Sequence, residues 1–242
     1  PESRRLVEVV HQQFVLRGAM LPDAGKARLR ELNQRQSTLE AQFNTRLLAA
    51  ANAAAPVIAD RERLAGLPDD ALAAAAQTAT ERGAQGKWVL ALQNTTQQPD
   101  LEFLQHRDTR KVLFDASWNR AEMNDANDTR AIIAEIAQIR AAQAQLLGFD
   151  NFAAWTLQDQ MAKTPATVMD FLGKLAPPAT ARARQEAADI QAEIDRDRKA
   201  GNATPFALEA WDWLYYAARV RQARYDLDAA ELRPYFELDR VL

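Results

Sequence analysis

Cysteine is absent from the 242 residues, which excludes disulfides, thiol nucleophiles and cysteine-held iron–sulfur clusters but leaves the cytoplasm and a bacterial periplasm both open. Histidine occurs only as His11 and His106. A zinc-peptidase helix needs two histidines four residues apart with a Glu beside the first, yet His11 is followed by Gln12-Gln13 and His106 by Arg107-Asp108. No catalytic or metal-ligating residue is therefore assigned, and the substrate-binding residues are unknown at this stage. An excess of one charge is missing too. The 30 basic side chains nearly match the 33 acidic ones, so the electrostatic footprint of a general nucleic-acid binder is not there. No run approaches the roughly 20 apolar residues of a membrane span, and no basic-then-apolar leader opens the chain. The expectation is a soluble protein, cytoplasmic with the periplasm as the alternative, and without nucleic acid or membrane as partners.

What is present points to helices. Glycine is limited to 8 residues, 48% of the chain is hydrophobic, and apolar positions recur at steps of three and four. The fold class expected is all-α, an irregular multi-helix assembly with at most a small two-stranded ribbon. A helix through Leu6, Val10 and Phe14 ends at Gly18, and a long one from Asp23 carries Leu29, Leu32, Leu39, Phe43 and Leu47. An alanine-rich helix spans 68–82, between the only strand candidates, Pro56-Val57-Ile58 and Trp88-Val89-Leu90-Ala91-Leu92. Helical spacing returns over 101–104 and 107–121. Asn124-Asp125-Ala126-Asn127-Asp128 then offers caps to a helix carrying Ile132, Ile136, Ile139 and Leu146, closed by Gly148. A shorter helix is expected over 151–161, and another is capped by Thr164 with Pro165 in its first turn. Pro177-Pro178 should kink or break it before the charged stretch 182–199. Gly201-Asn202 punctuates, and a last helix holds Trp211, Trp213, Tyr215 and Tyr216. No repeat and no dividing linker is visible, so residues 1–242 read as one portion.

Several local patterns invite chemistry and fall short of it. Glu8-Val9-Val10-His11 has the spacing of a di-iron bundle ligand pair but no second copy. Gly83-Ala84-Gln85-Gly86-Lys87-Trp88 lacks the first glycine of a phosphate loop, since Glu81 stands there, and Trp88 takes the hydroxyl position. The run 124–128 lacks the central glycine and terminal Glu of a calcium loop, so helix capping is the reading. Gly-x-Ser-x-Gly and Gly-x-Gly-x-x-Gly are both absent. The aromatic residues at 211–216 read as core before channel lining, and the alternating charges at 193–199 as a solvated face. Taken alone, the residues describe a helical domain without a visible active site.

Ordered strings along the chain carry a resemblance. They include Asn94-Thr95-Thr96-Gln97-Gln98-Pro99, Arg120-Ala121-Glu122, Asn124-Asp125-Ala126-Asn127-Asp128-Thr129-Arg130, Leu146-Leu147-Gly148-Phe149 and Ala153-Ala154-Trp155. Gln160-Met161-Ala162-Lys163-Thr164-Pro165, Trp211-Asp212-Trp213, Tyr215-Tyr216-Ala217 and Pro234-Tyr235-Phe236-Glu237-Leu238 continue it. In order and spacing these resemble the thimet-oligopeptidase family of zinc metallopeptidases, most closely its bacterial dipeptidyl carboxypeptidase branch. The resemblance implies an N-terminal helical portion of a channelled peptidase that releases C-terminal dipeptides from short peptides. It also implies that the zinc and its His-Glu-x-x-His helix belong to a catalytic portion downstream, which would be this portion's partner alongside the peptide substrates. Both ends look cut, because the chain opens at Pro1 without Met and Leu238-Asp239-Arg240-Val241-Leu242 reads as the opening of another helix. On this expectation the portion is inactive alone, forms one wall of the channel, and presents residues 94–98 to it. Two other readings stand beside it: a freestanding helical interaction module, and a metal-binding four-helix bundle built on Glu8 and His11.

Overall fold

The computed structural model describes residues 2–93, 98–201, 206–225 and 235–236. Eight α-helices dominate these residues: α1 (Glu2–Leu16), α2 (Asp23–Ala54), α3 (Asp69–Glu81), α4 (Arg107–Trp118), α5 (Arg130–Leu146), α6 (Phe152–Thr156), α7 (Pro165–Lys199) and α8 (Trp213–Tyr225). Two strands, β1 (Val57–Ile58) and β2 (Trp88–Val89), pair antiparallel with Val57 opposite Val89 and Ile58 opposite Trp88. The all-α expectation with a small ribbon holds. No helix among the described residues is long and apolar enough to cross a membrane. The chain divides into two compact units, 1–50 with 121–178 and 51–120 with 179–242, so the division falls inside α2 and inside α7.

The first unit is organised by α2 against α5. Leu32 and Leu39 from α2 meet Ile132 and Ile139 from α5, with Phe43, Ile136 and Leu146 around them. Burying each such side chain stabilises the fold by about 1.5–3 kcal/mol. Polar links fix the direction: Asn33 bonds Gln143, Arg35 bonds Glu135, and Arg46 donates to the Asp128 carbonyl. Positions that rise along α2 meet positions that fall along α5, so the pair is antiparallel. Gly18, buried behind α1 with φ +87°, ends that helix as expected, and a Cβ there would stand 2.7 Å from Leu29 Cδ2. The Trp155 indole donates to the Leu16 carbonyl at 3.0 Å, which satisfies one of the carbonyls that the end of α1 leaves open.

The second unit has its core in Ile58, Leu64, Leu67, Leu90, Leu101, Leu104 and Leu113. A second cluster joins Ile190 and Ile194 of α7 to Tyr216 of α8. Gly66, at φ +93°, lies against the chain near Phe103, where an added Cβ would stand 2.1 Å from the Phe103 carbonyl oxygen. Only glycine fits that approach.

Three expectations need correction. Pro177 and Pro178 lie inside a continuous α7 and do not break it. Residues 171–180 are exposed all round, so water can take the carbonyls of Gly173 and Lys174 that the prolines cannot bond. The helix expected over 151–161 is only five residues long: Asn151 caps it by accepting from Ala154 N–H, and the rest winds through turns. The segment expected to be helical over 107–121 ends at Trp118, and Ala121 takes φ +62°. Residues 94–97, Asn202 and most of 226–242, for which expectations were also stated, lie outside the described residues.

Candidate functional site

The residues singled out for chemistry do not converge. Glu8 sits on exposed α1, ion-paired to Arg4 at 3.1 Å and Arg5 at 3.7 Å, and His11 is exposed three residues on. His106 caps α4, its Nδ1 accepting from the Thr109 N–H at 3.4 Å. Gly83 and Gly86 both take positive φ in the turn between α3 and β2. In the loop 124–128, Asp128 accepts from the N–H groups of Asn124 and Arg130 and from the Arg130 guanidinium. Those hydrogen bonds, from the Arg130 side chain first and its backbone next, hold the Asp128 carboxyl well below the usual carboxylate range. Its acceptor capacity goes into the first turn of α5, where it accepts from the Arg130 N–H; the N-cap position itself is Thr129, outside the run expected to supply it, and its side chain makes no capping hydrogen bond.

Within 193–199, Asp195, Arg196 and Lys199 are exposed as a solvated face would have them, and Glu193 and Asp197 depart from that reading. Glu193 and Asp197 are each only 8% exposed, because Ile194 between them packs under Tyr216 and carries its neighbours inward. Arg219 of α8 meets them, at 4.0 Å from Glu193 and 2.6 Å from Asp197, while its Nη1 donates to the Tyr215 hydroxyl at 3.0 Å. Glu193 also pairs with Arg196, three residues on, at 2.9 Å, whereas the partner of Asp197 comes from more than twenty residues away, so alternation along the sequence does not reveal it.

The most elaborate constellation is centred on Asp212, which is fully buried. Its oxygens accept from Arg107 Nε at 3.1 Å and Nη2 at 2.9 Å, from Arg110 Nη2 at 2.8 Å and from the Glu209 N–H at 3.3 Å. Arg110, 1% exposed, spends Nη1 on the carbonyls of Leu104 and Gln105 and stacks over the Tyr215 ring at 4.4 Å. Arg107 lies 3.9 Å over Phe206 and 5.6 Å from the Trp211 ring. A carboxylate with its acceptor sites taken up by two guanidiniums has little capacity left to ligate a metal. The constellation therefore locks α4 to the turn Ala210–Asp212 that starts α8, and sequence reasoning saw Asp212 only as part of a Trp-Asp-Trp string. The aromatic residues around it behave as core: Tyr216 is buried, and Trp211, Trp213 and Tyr215 are half-buried. Trp211 lies in the 3-10 turn preceding the helix it was expected to share.

Concave features occur in both units. A groove of about 590 Å³ in the first unit is lined by Phe43, Ile133, Ile136 and Phe152, with Arg140 held 5.0 Å over the Phe152 ring and 3.6 Å from Glu40. A cavity of about 290 Å³ between the second half of α7 and α8 is edged by the pairs Arg182–Glu186 and Arg224–Asp189. Neither contains a nucleophile beside a base. Among the described residues no three of His, Asp and Glu form a group fit to hold a metal ion.

Set against known proteins, residues 102–242 match the description of peptidase family M3. The chain belongs to peptidase family M3. The matched stretch contains α4 through α8 and with them the Asp212 constellation. Across its whole length the chain is 52% identical to dipeptidyl carboxypeptidase of Escherichia coli and 49% identical to dipeptidyl carboxypeptidase of Salmonella typhimurium. It is 30% identical to oligopeptidase A of Escherichia coli over 99% of its residues. In each comparison the match takes in 35% of the relative, so the chain spans about a third of the length of these M3 proteins.

Proposed function

We propose that this chain is part of a zinc-dependent peptidyl-dipeptidase that releases dipeptides from the C-termini of short peptides, and that it forms one wall of the channel leading to the metal. The observation that carries the activity is the difference in identity within family M3. Two dipeptidyl carboxypeptidases match at 52% and 49% along the whole chain, against 30% for oligopeptidase A. Among the described residues no group of three or more His, Asp or Glu is fit to hold a metal ion, and on this reading the zinc ligands and the general base lie on polypeptide of the longer protein. The chain's own contribution is positional. Buried ion pairs and antiparallel helix packing give a scaffold stiff enough to bound a passage, which is what limiting entry to short peptides requires.

The activity is tested on the longer protein with an N-terminally blocked tetrapeptide. Release of the intact C-terminal dipeptide, stopped by a chelator and restored by zinc, is expected. Release of single amino acids, or activity indifferent to the chelator, would rule it out. The 242-residue chain alone is expected to cleave nothing, with or without added zinc. The wall is tested at the connection following Gln93, closed by the Gln98 side chain, whose Oε1 accepts from the Gln93 N–H at 2.7 Å and whose Nε2 donates to Ser117 at 2.9 Å. Replacing Asn94, Thr96 and Gln97 by Ala in the longer protein should lower kcat/KM for short peptides several-fold. Unchanged kinetics would remove this connection from the wall.

A further inference from the structure

The first half of α7 is an amphipathic helix whose apolar side, among the described residues, stays largely open. Val168, Phe171, Leu172 and Leu175 fall at i, i+3, i+4 and i+7, which places them on one arc. The Asp170–Lys174 pair, bonded at 2.6 Å, occupies the opposite arc. On a helix at a protein surface it is the apolar arc that is covered, yet Phe171, Leu172 and Leu175 are 62%, 46% and 51% exposed. Single exposed apolar residues are ordinary; a continuous stripe of them marks a contact surface.

We propose that this stripe is the docking face for polypeptide of the longer M3 protein that lies outside the 242 residues. The inference rests on the reading above only in taking the natural protein to be as long as its relatives, of which this chain spans 35%. Area decides between that occupant and a second copy of the chain. Two turns of helix offer a face on the order of 200 Å², far below the roughly 800 Å² per partner that a stable complex of separate molecules needs. A segment of the same polypeptide needs no such area, because covalent connection removes most of the entropy cost of association. The stripe is thus too small to hold a free partner and well suited to a tethered one.

The test places a photo-reactive side chain on the stripe of the longer protein, Phe171→p-benzoylphenylalanine, with Lys174→p-benzoylphenylalanine as the control on the polar arc. After irradiation, digestion and mass spectrometry, the substitution at Phe171 should give an intramolecular adduct to a peptide from outside the 242 residues, and the control should give none. No adduct, an adduct inside the 242 residues, or a cross-linked dimer would each overturn the proposal. Hydrolysis of a short peptide by the same protein before irradiation reports separately on the peptidase reading. Activity without the adduct defeats the docking face alone, and the adduct without activity defeats the peptidase reading alone.

Discussion

The two halves of α7 share one continuous backbone and differ in what their apolar residues meet. In the second half Ile190 and Ile194 are 3% and 0% exposed beneath Tyr216, and the acids beside them are claimed by Arg219. In the first half the equivalent arc faces solvent at Phe171, Leu172 and Leu175. Both halves have the periodicity of a core-facing helix. Periodicity therefore records that a face is meant to be covered, while only the structure shows whether the covering element is among the residues at hand.

The supported half should respond most strongly where its neighbourhood is most buried. Asp212→Ala removes the carboxylate shared by Arg107 and Arg110 and leaves the Arg110 guanidinium, 1% exposed, without a counter-charge. Stripping one partner from such a pair costs about 3–5 kcal/mol, readable as a lowered urea midpoint. A double variant, Asp212→Leu with Arg110→Met, should regain much of that loss, because the expensive state is the uncompensated charge. Equal loss in single and double variants would show that packing, and not charge, holds α4 to the start of α8.

Next in size is Ile194→Ala, expected to cost about 2–4 kcal/mol through lost burial and the cavity left under Tyr216. The same packing has a pH signature. Burial, with Asp197 nearby adding to it, pushes the Tyr216 hydroxyl up to about 12 from the ordinary 10. The folded chain then holds a proton that the unfolded chain has already lost. The stability this gives is complete below pH 10 and disappears as pH rises from 10 to 12. An ultraviolet titration of the four tyrosines should show one ionising late, and Tyr216→Phe should abolish that phase. Uniform ionisation near pH 10 would contradict the burial.

What was legible in the sequence follows the same division between local and distant causes. The long α2, the cap at Thr164, Gly18 after α1 and the ribbon of β1 with β2 all depend on residues within a few positions of each other. The order of short strings carried the family. The misreadings depend on partners far along the chain. Asp197 looked solvated because Arg219 lies in another helix, and Asp212 had no visible role because Arg107 and Arg110 precede it by about a hundred residues. Pro177 and Pro178 were expected to kink or break α7 because their cost is local; the helix is not broken, and the exposure that lets water take the freed carbonyls is not shown by sequence.

The smallest expected effect is the most direct check on the contrast within α7. Leu175→Ala removes a side chain that is already 51% exposed, so in the 242-residue chain the stability should change by no more than about 0.5 kcal/mol, as for a surface position. The same substitution in the longer protein should cost about 2 kcal/mol or more if the stripe is covered there, approaching the value for a buried leucine. Denaturant unfolding of the four proteins, parent and variant in each length, gives the difference directly. A large loss in the 242-residue chain would mean that its own residues already cover the stripe. A negligible loss in both would mean that nothing does, and the periodicity shared by the two halves of α7 would then mark a covered face in the second half alone.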